Sequence, residues 1–246
     1  TYYTGEGARR SVDQDFGQTG GAMMEHLMAT GDLILLATDP VYDPPPDPVP
    51  PNHHWVGTLI WEPVESSPAW LREPGDPWVL MTLSSARQDG EIELAQAAVT
   101  AAADFPVRLL VTLADGKSGD GLVTVDDKVR VETFVPHSQV LERARLCIAH
   151  SGHGIVAKAL HFGVPMVLVP WDRDQPGVAA RAEALGVAKV VPRRELSPET
   201  LTAAIHEVLE TPSYAENARL HSERIGAYDP AALVCEKIEA FLRRAP

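Results

Sequence analysis

The sequence predicts an α/β fold: a Rossmann-like parallel sheet with flanking helices. Between Trp78 and Val191, short apolar runs rich in β-formers alternate with segments of helical periodicity. Several of them, such as Trp78 to Leu83 and Met166 to Val169, are almost wholly apolar, as expected of strands covered on both faces. Polar loops containing glycine or proline follow strands and open helices, and the last third reads as helix alone. At 246 residues with 45% hydrophobic content, the chain can bury one large core or two small ones.

Taken in order, Ala22 to Ala29 reads as a helix and Leu33 to Ala37 as a buried strand. Asp43-Pro44-Pro45-Pro46-Asp47-Pro48-Val49-Pro50-Pro51 follows, where fixed φ angles and missing amide donors exclude helix and ladder. Residues 1–50 are therefore expected to be the remnant of an N-terminal lobe plus a stiff connector, and residues 51–246 a ligand-binding domain with C-terminal helices. Strands are predicted at Trp78 to Leu83, Val107 to Leu113, Val129 to Phe134, Leu146 to Ala149, Met166 to Val169 and Val187 to Val191. Helices are predicted at Glu91 to Ala103, near Ser138 to Arg145, at Gly154 to His161 and at Gln175 to Leu185. Three more follow from Ser197, whose hydroxyl is placed to cap a helix opened by Pro198.

A formal charge of −13 argues against nucleic acid and anionic membrane as partners, since polyanion binding relies on Lys and Arg. Cys147 and Cys235 are expected to be small buried apolar residues rather than a disulfide or a nucleophile. The nine histidines show no metal-ligand spacing, so no bound metal and no cofactor are expected. The sequence contains no apolar run long enough to span a bilayer, and Thr1 to Glu6 does not resemble a secretory signal; a cytoplasmic location is the expectation.

Open parallel sheets bind ligands beyond the carboxyl ends of their strands. There, His150-Ser151-Gly152-His153-Gly154 joins a strand to a helix. Glycine amides at a helix N-terminus suit a phosphate, with imidazole or hydroxyl as added donors; a plain tight turn is the alternative. The next strand-to-helix loop carries Asp174-Gln175, whose acceptors and amide suit the vicinal hydroxyls of a sugar, although Asp174 is equally placed to cap the helix.

Phe134-Val135-Pro136-His137, His150-Ser151-Gly152-His153-Gly154, Gly163-Val164-Pro165 and Asp174-Gln175-Pro176 occur in an order and spacing that resembles the donor signature of UDP-glycosyltransferases, notably bacterial enzymes that glycosylate natural products. The resemblance covers Trp55 to the C-terminus and implies the C-terminal lobe of a GT-B fold. It implies transfer of a sugar from a UDP- or TDP-sugar to a small-molecule acceptor hydroxyl, with inversion and without metal. It further implies that Phe134 stacks on the base, that the backbone at Val135 and His137 reads the base edge, and that Ser84 donates to the diphosphate. His150 with the amides of Gly152, His153 and Gly154 would hold that diphosphate, and Asp174 and Gln175 the sugar.

Two positions depart from the signature. Ile155 stands where relatives have a phosphate-binding hydroxyl, and Lys158 where many have a glutamate that accepts from the ribose. The family's acceptor lobe, with its catalytic histidine, needs more than residues 1–50, and Asp13, Asp15 and Glu25 form no pattern for that role. The catalytic base is thus expected on a missing or separate lobe. A non-catalytic nucleotide-sugar-binding or auxiliary subunit is the alternative function, and a sugar-nucleotide epimerase a further one.

Overall fold

The computed structural model describes residues 31–63, 65–84, 90–113, 121–124 and 127–244. The predicted helix at Ala22 to Ala29, with Asp13, Asp15 and Glu25, lies outside them. Six strands form one parallel sheet: β3 (Trp78–Thr82), β4 (Arg108–Thr112), β5 (Val129–Glu132), β6 (Ala144–Ala149), β7 (Met166–Leu168) and β8 (Ala188–Val190). Their order across the sheet is β5-β4-β3-β6-β7-β8. The chain winds outward from β3 in one direction, returns to β6 beside β3 and winds outward the other way, the arrangement of a dinucleotide-binding sheet.

The inner strands β3 and β7 are buried along their whole length, whereas the edge strand β5 keeps Arg130 exposed. Successive residues of β3 enter different cores: Trp78 and Leu80 join one cluster, Val79 and Met81 the other. This is the pleat of a strand buried on both faces. The helices are α1 (Glu91–Ala102), α2 (His137–Leu141), α3 (His153–His161), α4 (Gln175–Ala184), α5 (Pro198–Glu210), α6 (Pro212–Ile225) and α7 (Pro230–Arg244). Leu94 and Ala98 of α1 and Leu201 and Ile205 of α5 fill the core on one side. Val140 of α2, Val156 of α3, Val178 of α4 and Ala218 of α6 fill the core on the other. Cys147 sits in the second core, and burial pushes its thiol up to about 12. Cys235 corrects the expectation of two buried thiols: it is exposed, on the solvent side of α7.

The helix starts follow local chemistry. Ser197 caps α5 by accepting from the Thr200 amide at 3.2 Å, while Thr200 Oγ1 accepts from the Ser197 amide at 2.9 Å. Pro198 fills the first turn, where no amide is missed.

A smaller unit precedes the sheet. β1 (Ile34–Leu36) pairs in parallel with β2 (His53–Trp55), and the proline-rich segment connects them without regular structure. The predicted division at residue 50 falls inside this unit, between its two strands. It is fastened to the larger domain by Tyr42, whose hydroxyl donates to the Val178 carbonyl at 2.9 Å, and by Arg224 of α6, which donates to Asp39 at 2.6 Å. Among the described residues, no helix is long and apolar enough to cross a membrane.

Candidate functional site

The winding direction of the sheet reverses between β3 and β6, so the crevice beyond their carboxyl ends is where this architecture admits a ligand. Register places Thr112, Thr82 and Ala149 side by side on the last row. Ser84 and His150 follow immediately and stand on either side of the reversal. Ser84 is buried, and its amide donates to Glu91 at 2.8 Å, which ties the end of β3 to the start of α1.

The loop from His150 to Gly154 is shaped by close approach. His150 is largely buried, and its ring lies over Gly152 so tightly that a β-carbon there would come within 2.6 Å of Nε2. Ser151 adopts a left-handed conformation, φ 67°, costly for a residue with a side chain. It is fully buried, and its hydroxyl has no hydrogen-bond partner among the described residues. Gly152 then turns into α3, leaving His153 and Gly154 exposed on the first turn with their amides at the helix start. A β-carbon on Gly154 would have no neighbour within 4 Å, so the backbone there faces open space. Together these amides form a cradle for an anion. Ile155 is buried among the core residues below and contributes packing instead of a ligand contact.

The second loop opens α4. Asp174 occupies the capping position, yet its carboxylate makes no capping bond and remains partly exposed. Gln175 is buried, and its Oε1 accepts from the Trp171 amide at 2.8 Å, so the side chain closes its own loop. Arg173, at φ 57°, makes the sharp turn between them. Behind this loop, Asp43 of the smaller unit lies 3.6 Å from Arg181 of α4 and within electrostatic reach of His153; burial, opposed by Arg181, raises its pKa.

The segment before α2 supplies the third part. Phe134 is half-exposed, while Val135 is buried in the core. His137 turns its ring inward, where Nε2 lies 3.0 Å from Thr112 Oγ1 and 3.4 Å from Thr82 Oγ1 on the last row of the sheet. Burial, reinforced by the charge of Lys158, lowers its pKa to about 4, so the imidazole is neutral near pH 7. Its amide donates to Glu62 at 2.9 Å, as does that of Ser138 at 3.0 Å. Lys158 reaches the same carboxylate from α3. Burial alone would raise the Glu62 pKa, but the bonds from Lys158 and Ser138 outweigh it and hold the carboxyl below its usual range.

The structure thus brings Ser84, His137, His150 and the glycine loop to one edge, with Phe134 half-exposed beside the start of α2 and Asp174-Gln175 at the next strand end. Glu62 was missed in the sequence, where it stands in an irregular segment with no spacing relation to any motif.

Residues 96–241, more than half of the chain, match the family model "Erythromycin biosynthesis protein CIII-like, C-terminal domain", and the chain belongs to this family. It is 30% identical over 222 residues to 4'-demethylrebeccamycin synthase of Lentzea aerocolonigenes, a match covering 89% of the chain and 52% of that relative. Among solved structures it is similar to the glycosyltransferase of kitacinnamycin, with a TM-score of 0.77 at 21% identity over 95% of this chain and 64% of that one. Glycosyltransferase VinC in complex with DTDP gives a TM-score of 0.63 at 25% identity, covering 77% of this chain and 50% of its own. The sheet and its flanking helices have the fold of one lobe of the GT-B glycosyltransferases. The chain spans about half the length of the curated relatives it matches.

Proposed function

We propose that this chain is the donor-binding lobe of a glycosyltransferase that moves a sugar from a UDP- or TDP-sugar to the hydroxyl of a small-molecule acceptor with inversion. The observation that carries the reading is the exposed amide cradle at Gly152 to Gly154, at the reversal of the sheet and one strand away from Asp174-Gln175. In this reading the amides and His150 hold the diphosphate, Phe134 carries the base, and Asp174 with the Gln175 amide group holds the sugar hydroxyls. The leaving diphosphate develops negative charge as the glycosidic bond breaks, and oriented amides stabilise it without a metal ion. The acceptor and the general base that deprotonates it belong to an N-terminal lobe beyond residues 31–244. A cytoplasmic location belongs to the same reading, because nucleotide-activated sugars are substrates of the cell interior.

Calorimetric titration of the purified chain with UDP, TDP and their sugars tests it. Saturable binding is expected, weakened at least tenfold, about 1.4 kcal/mol, in His150→Ala. Absence of binding, or an unchanged affinity in the variant, would overturn the assignment. A second reading, a nucleotide-sugar-binding subunit without turnover, draws support from Ile155, whose burial removes a side-chain hydroxyl from the cradle. Sugar transfer on adding an acceptor lobe excludes it.

A further inference from the structure

We infer that Asp43 of the small unit is a third residue of the donor-sugar pocket, beside Asp174 and Gln175, and accepts a hydrogen bond from one hydroxyl of the sugar; this rests on the donor-site reading above. Asp43 belongs to none of the motif loops and arrives on the irregular segment after β1. Its Oδ1 lies 3.6 Å from Nε of Arg181 on α4. The Arg181 head lies along the first turn of that helix, where a β-carbon on Gly177 would stand 3.6 Å from Nη1. His153, in the first turn of α3, acts electrostatically on Asp43, and Asp174 acts in the same way on the adjacent Tyr42. The small unit thus brings a carboxylate to the starts of both helices that carry the site.

This carboxylate is sheltered and short of partners. The Asp43 side chain is only 10% exposed, yet among the described residues neither of its oxygens accepts a hydrogen bond, because the Arg181 contact is longer than one. Arg181 Nε is itself buried and makes no hydrogen bond among the described residues. Burial outweighs the pull of Arg181 and raises the Asp43 pKa, the mark of an ionised group without enough donors.

That deficit defines the ligand. Buried polar groups are normally hydrogen-bonded, and an ionised carboxylate offers about four acceptor positions. A sugar is a compact set of hydroxyl donors, and its diphosphate in the cradle at Gly152 to Gly154 would hold it beside the start of α4. One hydroxyl donating to Asp43 makes a charge-assisted bond, stronger than the same bond to a neutral acceptor. Asp43 therefore acts as a specificity-determining residue for the sugar and leaves the nucleotide to the other loops.

Calorimetric titration with UDP and with UDP-glucose separates the two roles, since the ligands differ only in the sugar. Asp43→Asn is expected to weaken UDP-glucose about fivefold or more, through loss of the charge, while UDP changes by less than about twofold. Binding of UDP also reports that the variant is folded; if Asp43→Asn binds none, Asp43→Glu takes its place, with its charge moved by one methylene and the same split expected. Among UDP-glucose analogues that each lack one hydroxyl, one should bind the wild type and the variant alike, and it identifies the hydroxyl that is read. An equal loss for UDP and UDP-glucose, no loss for either, or no such analogue would overturn the inference and leave Asp43 as a fastening between the small unit and α4. If the wild type binds neither compound, the donor-site reading itself falls, and this inference with it.

Discussion

His137 shows how much the setting of one side chain decides. Its ring is an uncharged acceptor or donor to two threonines on the last row of the sheet, and its pKa of about 4 lies below the ordinary value of 6.5. Between those values the unfolded chain takes up a proton that the folded chain refuses. The stabilising contribution is therefore complete above pH 6.5 and is lost as the pH falls toward 4, at up to about 1.4 kcal/mol per pH unit. His221 behaves alike: burial and the neighbouring Arg224 depress it to about 4. In His137→Asn, urea unfolding at pH 7 should show a deficit of about 1 kcal/mol from the altered hydrogen bonds. That deficit should narrow at pH 5, because the variant no longer refuses the proton. A constant deficit across pH 5–7 contradicts the neutral, buried imidazole. The window stops at pH 5 because Glu62, held below 4.5, loses its contribution only under more acidic conditions.

For the elements, the capping box at the start of α5 is the most separable local device. Ser197→Ala removes the acceptor of the Thr200 amide and should cost about 1 kcal/mol, seen as a fall in Tm of about 2–4 °C for a domain of this size. A Tm within half a degree of wild type would mean that packing of Leu201 and Ile205 alone holds α5. This start was readable because serine before proline has a strong positional meaning, and the large-sheet strands were readable as short runs rich in β-formers that alternate with helical periodicity. Five of the six run one or two residues shorter than predicted at one end or both, and β6 starts two residues earlier, at Ala144. The strand β2 was not legible: His53-His54-Trp55 has no alternation, and only its three-residue pairing with β1 makes it a strand. The glycine loop was legible because its residues are neighbours in sequence. Glu62 was not, since its partners stand 75, 76 and 96 residues away and only the folded sheet brings them together.

Across the molecule, the contact between the small β1–β2 unit and the main domain decides how the site is framed. Asp39 is almost fully buried and accepts from the amides of Val41 and Tyr42 as well as from Arg224. Arg224→Met should leave a buried carboxylate short of its only cationic partner among the described residues, at a cost of about 2 kcal/mol. Hydrogen exchange should then quicken at the β1 and β2 amides while β3, β4 and β6 keep their protection; uniform acceleration across all strands would show that the clasp serves global stability instead. Tyr42 and Asp43 meet α4 at Val178 and Arg181, on the helix that begins with Asp174-Gln175. The small unit therefore touches the same helix that carries the loop assigned to the sugar.

The position of Glu62 also sets where a crossover between related proteins can be made. The proline-rich run invites a junction near Pro50, but a cut there parts β1 from β2 and leaves Asp43 and Tyr42 on one parent while Arg181 and Val178 come from the other. A junction just after Pro63 keeps the small unit whole but delivers Glu62 with the foreign half, so a parent carrying glutamate at position 158 would set two carboxylates against each other where this chain has an ion pair. Positions 62 and 158 therefore travel as one unit of inheritance in any chimera, although they stand 96 residues apart.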